Sequence, residues 1–333
     1  MVNPTPESLL NTFRRARNKA ALAGFLALLL LFPGCGPRKY TYPADKVPGS
    51  IEEISRKDYN LVVKARVVGK TVGALLYVNS ILDKDGQIPK DLNEKMGKLM
   101  QVVTRVALST DLPLEYCLVV IRDRVHPHQL MITRSLEDSK RAYADVIGVE
   151  ESINRTLFGQ DKYELIKDAK STFVLKDVRH EDFLTDQIVQ RVRFNYSKDA
   201  KDELDKALLM MDGSFDTSTG QRVFRFSLIA LKSEDPREMV LNVFKTVNRV
   251  LEGYKYADFD AVEIQDYLNR QKLVVDRNAL FDYQKKKITD QEILDRFLTE
   301  SQSIQEAFKL FGFSIPQSSN DNPDAAVAAT AVP

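Results

Sequence analysis

The sequence contains no tryptophan, only three histidines and only two cysteines among its 333 residues. With so few histidines, a catalytic site that depends on a histidine base is hard to build. The sequence also has none of the short motifs of serine hydrolases, zinc peptidases or phosphate-binding loops. The 48 basic and 47 acidic residues leave a net charge of +1, whereas a nucleic-acid binder normally has a basic surplus. We therefore expect no cofactor and no nucleic-acid partner.

What the sequence does contain is an N-terminal leader. An apolar run, 20–32, follows a cationic block and ends at Pro33-Gly34, where a helix is broken. At 13 residues the run is shorter than the ~20 apolar residues that a membrane span needs. A basic segment followed by a short apolar core predicts a secretory signal peptide over residues 1–34. The basic residues are Arg14, Arg15, Arg17 and Lys19.

Gly34-Cys35 resembles the lipobox of bacterial lipoproteins, in which a small residue precedes the cysteine that is lipidated and becomes the mature N-terminus. The two preceding positions depart from the usual pattern, because Phe32 and Pro33 stand where that family has Leu and a small residue. The resemblance implies that lipid on Cys35 attaches the chain to a membrane of the cell envelope, facing the periplasm. In such proteins an Asp after the lipidated cysteine favours retention in the inner membrane. This chain has Gly36 at that position, so the outer membrane is favoured.

The alternative is an uncleaved signal anchor, in which the uncharged segment extends to Pro37. Both interpretations leave most of the chain outside the cytoplasmic membrane, because the positive flank stays inside. The other cysteine, Cys117, lies in the apolar strand pattern YCLVVI. We predict that Cys117 is a buried free thiol and that the chain has no disulfide framework.

Composition and periodicity divide the chain into six segments, and the folded segments are predicted to have an α+β fold. We predict a signal peptide (1–34), a lipidated Cys with a Pro-rich tether (35–52), a first α+β module (53–160), a connecting segment (161–190), a second α+β module (191–313) and a disordered C-terminal tail (314–333).

The two modules show related patterns. Met96, Leu99, Val103 and Val106 recur at helical spacing, and Val240, Val243, Val247 and Val250 repeat that face 144 positions later. Asp91 and Asp235, at the same offset, each precede a Glu by three residues, which predicts an N-cap. Downstream, YCLVVIRD and LMITRS predict a hairpin before a helix capped by Ser135, and FDAVEIQD and LVVDRN predict its counterpart before a helix capped by Asn278.

Apolar strand patterns, TVGALLYV and VFRFSLIAL, precede the two helices, and EESINRTL resembles QEILDRFL after the two hairpins. The sequence therefore predicts two tandem, related β-α-β-β-α modules, each with a trailing helix and with helices packed on a small sheet. This element order is similar to that of secretin periplasmic domains and KH-like folds, but a likeness in element order alone gives no function. Between the modules STFVLKD predicts a strand, and DAKDELDKALLMM predicts a helix.

Candidate chemistry is weak. His126 and His128 lie at the predicted tip of the first hairpin, where they could supply half a metal site, but zinc needs three or four ligands, which favours a polar surface turn. DKDGQI has part of a calcium-loop pattern but lacks its first and last ligands, which favours an exposed turn. DGSFDTSTGQ precedes a strand rather than a helix and predicts a connecting loop. Lys285 to Lys287 end a helix and could also contact anionic lipid.

Charged positions that recur between the modules have structural explanations as caps, turns and surface residues. We predict that they scatter over the molecule instead of meeting in one pocket, with Arg105 and Arg249 facing solvent or the other module. They are Asp91/Asp235, Glu94/Glu238, Arg105/Arg249, Asp123/Asp266, Arg134/Arg277 and Arg155/Arg296.

The function that the sequence predicts is therefore binding rather than catalysis. We expect a membrane-anchored envelope protein that acts as a scaffold or assembly partner of another envelope protein. The alternative is an exported enzyme or small-ligand receptor with an acidic site between the modules. Convergent carboxylates in a deep pocket would favour that alternative.

Overall fold

The computed structural model describes residues 41–162, 173–198, 209–230 and 235–300. Within these ranges the chain is a mixed α+β protein with helices packed on two five-stranded sheets. The helices are α1 (Val47–Tyr59), α2 (Lys90–Leu108), α3 (Leu136–Tyr143), α4 (Val149–Asn154), α5 (His180–Lys198), α6 (Pro236–Tyr254), α7 (Arg277–Gln284) and α8 (Asp290–Phe297). The strands are β1 (Val63–Val68), β2 (Thr71–Val78), β3 (Tyr116–Asp123), β4 (His128–Ser135), β5 (Leu157–Lys162), β6 (Leu209–Asp216), β7 (Val223–Ala230), β8 (Ala261–Asp266), β9 (Gln271–Asp276) and β10 (Leu298–Glu300).

The two sheets have the same strand order and the same strand directions. In the first, β1 to β5 lie in chain order, and only the β2–β3 pair is parallel. In the second, β6 to β10 lie in chain order, and only the β7–β8 pair is parallel. Helices α2 and α6, each of 19 residues, make the crossovers that the parallel pairs require. We call α1–α4 with β1–β5 the first unit, and α5–α8 with β6–β10 the second unit.

The predicted apolar faces of the two crossover helices form the centres of the cores. Leu99, Val103 and Val106 of α2 are completely buried, as are Val240 and Val247 of α6. The helical spacing of these residues is confirmed, since their partners in each core come from one face of the adjoining sheet. Cys117 of β3 is also fully buried and free, as predicted.

Two of the predicted helix caps are wrong. Helix α2 begins at Lys90, so Asp91 lies inside its first turn and pairs with Lys95 at 2.9 Å instead of capping the helix. Helix α7 is capped by Asp276, whose side chain accepts hydrogen bonds from Asn278 and Ala279, so Asn278 is not the cap. In both cases the helix begins one or more residues earlier than the sequence pattern suggested. Asp235 and Ser135 are confirmed as caps.

The predicted strand STFVLKD is also wrong over the residues that the structure describes. Residues 173–178, which we call the strap, have no regular secondary structure and cross the face of the first sheet that α1 and α2 leave open. Phe173 and Leu175 are buried there, and a Cβ on Gly73 of β2 would lie 2.7 Å from Leu175. The missing side chain at Gly73 therefore lets the strap pack directly on the sheet.

The chain around β6 differs from the prediction as well. Leu209 to Met211, expected at the end of a helix, begin strand β6, and the strand continues to Asp216 through the first half of the predicted loop. Residues 199–208 of that predicted helix lie outside the described residues. A Cβ on Gly213 would lie 2.7 Å from Thr185 of α5, so this glycine permits a close helix–strand contact rather than a turn.

Two predicted segment boundaries fall inside helices. Helix α1 begins at Val47, within the segment 35–52 assigned to the tether, and α5 spans the boundary predicted at residue 190. Both helices pack on the edge strand that follows them. Glu52 of α1 accepts a hydrogen bond from the amide of Ala65 in β1 at 2.9 Å, and Arg193 of α5 donates one to the carbonyl oxygen of Met211 in β6.

Candidate functional site

The histidine pair at the first hairpin tip is a surface turn. His126 lies between β3 and β4, and its Nδ1 is 3.2 Å from an Asp123 carboxylate oxygen. His128 is the first residue of β4, with its ring centre 6.4 Å from that of His126. Among the described residues, no group of three or more His, Cys, Asp or Glu side chains is arranged to hold a metal ion.

Asp123 and Asp266 occupy matching positions where each hairpin turns. Asp123 accepts hydrogen bonds from the amides of Val125 and His126, and Asp266 accepts them from Leu268 and Asn269. Burial raises the pKa of Asp123, but its hydrogen bonds outweigh burial and hold the pKa below its usual value. Burial raises the pKa of Asp266 above its usual value, and fewer hydrogen bonds offset it.

The other candidate residues that the structure describes make contacts within their own turn or helix end. Asp83 accepts hydrogen bonds from the amides of Asp85 and Gln87, so DKDGQI forms the expected turn. Lys285 caps the C-terminus of α7, as predicted for the lysine triplet. Cys35, the candidate lipidation site, lies outside the described residues.

The recurrent arginines lie in separate places. Arg105 and Arg249 are exposed on α2 and α6, as predicted. Arg134 donates to the Thr156 hydroxyl, whereas Arg277 reaches a backbone carbonyl. Arg296 stacks on the Phe297 ring. Arg155 is not a surface residue, and it lies in a cluster of charged groups.

Arg155, at the end of α4, is 8% exposed, and the two units meet around it. Its Nη1 donates to one carboxylate oxygen of Asp138 at 2.9 Å, and the hydroxyl of Tyr254 donates to the other oxygen at 2.5 Å. The guanidinium also lies 4.8 Å from the centre of the Tyr254 ring. Tyr254 ends α6 of the second unit, so these contacts join the units through a buried carboxylate.

Glu151 extends this contact to a fourth helix, α5. It accepts hydrogen bonds from Nε of Arg155 at 2.7 Å and from Nη2 of Arg191, in α5, at 3.0 Å. Burial raises the pKa of Glu151, but the two arginines outweigh burial and bring the pKa below its usual value. We call Asp138, Glu151, Arg155, Arg191 and Tyr254 the polar junction. It ties α3 and α4 of the first unit to α5 and α6 of the second.

Beside the polar junction, the hydroxyl of Tyr116 in β3 is hydrogen-bonded to Nδ1 of His180, the first residue of α5. Burial lowers the pKa of His180 and raises that of Tyr116, so both are neutral at pH 7. Burial and the neighbouring Asp138 raise the pKa of Tyr254 as well.

The charged groups of the polar junction are hydrogen-bonded to each other. Both oxygens of Asp138 are occupied, and Arg155 directs Nε and Nη1 to carboxylates of its own chain. These contacts fix the relative position of the two units.

Three surface grooves lie elsewhere and contain none of the five residues of the polar junction. A groove of 390 Å³ between α1 and α2 is lined by Tyr59 and Arg105, and a groove of 290 Å³ between α5 and α6 is lined by Tyr196 and Arg249. A third, of 460 Å³, is lined by Asp91 and the ends of β2 and α2. Each of these three grooves therefore holds one of the recurrent charged residues, and none of the three gathers more than one.

No family model, curated protein or solved structure matches the chain. Among the described residues, no helix combines the length and apolar character that a membrane span requires.

Sequence reasoning missed most of the polar junction. Asp138 lies in the polar segment SLEDSKRAY, and the composition of that segment does not separate it from the exposed acids of a surface helix. The available signal was its position on the inward side of α3, next to Leu136 and Ser139, which are also buried. The predicted cap at Ser135 sets the helix start at Leu136, so this signal could be read from the sequence.

Proposed function

We propose that this chain is a lipid-anchored protein of the bacterial cell envelope that binds another envelope protein and performs no catalysis. The observation that carries the anchor is Gly34-Cys35 directly after a basic and apolar leader. In this proposal Cys35 is lipidated, the folded part faces the periplasm and the outer membrane is favoured.

The non-catalytic part of the proposal is supported by the polar junction. Its charged groups are hydrogen-bonded to each other and join the two units. A rigid connection between two units suits a scaffold, which presents surfaces at fixed positions.

We further propose that the two units arose by tandem duplication of one α+β module. The shared strand order supports this, and so does the turn after α3 and α7. Asp145 and Lys286, 141 positions apart, both have positive φ, of 52° and 56°. The amides of Val146 and Lys287 close both turns by donating to the carbonyls of Arg141 and Asp282. An experimental structure in which the two sheets do not superpose strand by strand would contradict the duplication.

The anchor is tested by replacing Cys35→Ala, with Cys117→Ala as the matched control. We expect metabolically supplied fatty acid to label the natural chain and the Cys117 variant, but not the Cys35 variant, which should also retain its leader. A natural chain that carries no fatty-acid label, keeps its leader and stays in the membrane fraction would contradict lipidation and favour the uncleaved anchor. The binding function is tested by crosslinking in intact envelopes, followed by purification in detergent.

A further inference from the structure

An exposed apolar patch lies on the turn that joins α3 to α4. Tyr143, Val146, Val149 and Ile153 are 65%, 69%, 79% and 53% exposed. Val149 and Ile153 are four residues apart on α4, so they share one face of that helix. Single exposed apolar residues are ordinary, but here four lie within eleven residues, which concentrates exposed apolar surface in one short segment.

The second unit shows that the fold does not require this patch. At the equivalent positions, 141 residues later, it has Gln284, Lys287, Asp290 and Leu294. The first three are polar, and Leu294 is buried in the core. The same turn is therefore built with a water-compatible surface in one unit and with an apolar surface in the other.

The patch lies close to the point where the N-terminal segment enters the folded part. The amides of Thr41 and Tyr42 donate to the carbonyl oxygen of Ser109, at the end of α2, at 3.0 and 3.1 Å. Ser109 and Tyr143 line the same groove. Tyr143, the first residue of the patch, thus lies on the same groove as Ser109, the residue to which the start of the described chain is hydrogen-bonded.

The length of the preceding segment limits how far this face can lie from the bilayer. Six residue steps separate Cys35 from Thr41, and they span at most about 20 Å when fully extended. If residues up to Pro37 belonged to an uncleaved anchor, the distance would be shorter still. Either form of attachment therefore holds the Thr41 end of the molecule next to the membrane.

We propose that the apolar patch of Tyr143, Val146, Val149 and Ile153 rests in the interfacial region of the bilayer to which the chain is anchored. This proposal rests on the proposed membrane attachment and adds an orientation to it. Tyrosine favours the membrane interface, and a short apolar helix face is buried there by about 5–10 Å. Asp145 and Glu150 are exposed beside the patch, so the contact depends on apolar burial rather than on attraction to anionic lipid.

The test places a fluorophore on the patch of the full, exported chain reconstituted in phosphatidylcholine vesicles. Val146→Cys and Val149→Cys are labelled with an environment-sensitive dye, and Lys287→Cys, the equivalent of position 146 in the second unit, is the matched control. Cys117 will not compete, because it is fully buried and burial raises its thiol pKa to about 12. The unsubstituted chain reports any label on Cys35.

We expect brominated lipids to reduce the emission at positions 146 and 149 by about two-fold or more, as for a probe within the interfacial layer, and to leave position 287 unchanged. Adding Val149→Asp should lower the quenching at position 146. Chains that co-float with the vesicles but show no quenching on the patch would overturn the orientation and leave the anchor intact. Equal quenching at 287 would overturn it as well.

Two further outcomes would also decide the question. Shielding of the patch labels only after solubilised envelope proteins are added would overturn the lipid contact and indicate a protein partner. Loss of co-flotation in the unsubstituted chain would overturn the attachment itself, and the orientation with it.

Discussion

The outer faces of the two sheets differ although their strands are arranged alike. In the first sheet, Leu75 and Val120 are opposite each other on β2 and β3, and both are almost completely buried beneath the strap. In the second sheet, the matching row holds Arg225 opposite Glu263. Glu263 also pairs with Lys272 at 2.7 Å.

This difference shows that one strand arrangement can be completed in two ways. Where a chain segment covers the second face, the strand must be apolar on both sides, and β2 is nearly continuously apolar. Where the second face stays polar, the strand alternates, and β7 places Arg225 and Ser227 between buried residues. The pattern of a strand therefore reports how many of its faces are covered.

The largest expected effect concerns the equivalent arginines 155 and 296. Arg155→Met should lower the free energy of unfolding by about 3–5 kcal/mol, because it leaves Asp138 buried without its charged partner. Arg296→Met, at an exposed position, should change it by at most about 1 kcal/mol. Urea denaturation of the two variants measures both values. Equal losses would mean that the polar junction does not hold the units together.

An intermediate effect is expected for the two sheet faces. Leu175→Ala should cost about 2–3 kcal/mol, the lower part of the range for a buried leucine, because the strap can settle onto Gly73. Arg225→Ala removes ion pairs that are partly exposed and should cost no more than about 1 kcal/mol. Denaturation gives the energies, and hydrogen exchange in β2 and β7 localises them. Faster exchange in β7 than in β2 after Leu175→Ala would contradict the strap's position.

The smallest effect is a difference in pH dependence between Asp123 and Asp266. Because the folded pKa of Asp123 is lowered, its carboxylate stabilises the fold above its unfolded pKa of ~3.9, and this is lost as pH falls through the folded pKa. Because the folded pKa of Asp266 is raised, its contribution is present below ~3.9 and is lost as pH rises through the folded pKa.

Asp123→Asn should therefore become more destabilising, relative to the natural chain, as pH rises through the range just below 4. Asp266→Asn should become less destabilising as pH rises above about 4. Unfolding free energies measured between pH 3 and pH 7 give both slopes. Slopes of the same sign would show that the two hairpin aspartates are not in different environments.

The regular elements of the fold were predictable because their patterns are local. The stripe of Leu99, Val103 and Val106 defines a helix face from spacing alone, and β2 and β3 match their predicted segments residue by residue. The positions of the two hairpin turns could be predicted from Asp123 and Asp266, because aspartate favours turns.

What could not be predicted depends on residues far apart in the chain. The strap looked like a strand because Phe173, Val174 and Leu175 form a short apolar run, yet its neighbour is Gly73, about a hundred positions earlier. Asp138 resembled a surface acid because its partner, Tyr254, is contributed by the other unit. The composition of a short segment does not show which distant residue will contact it.

The contacts of Glu52 and Arg193 with the outermost strands bear on aggregation. An edge strand offers unpaired amides and carbonyls to any other chain, which is how cross-β stacking starts. Glu52 occupies an amide of β1 and Arg193 occupies a carbonyl of β6, so each strand is partly closed by a charged side chain from the helix before it. Each contact joins residues that are close in sequence, 13 and 18 positions apart. Many copies crowded on one surface would then be less prone to join edge to edge.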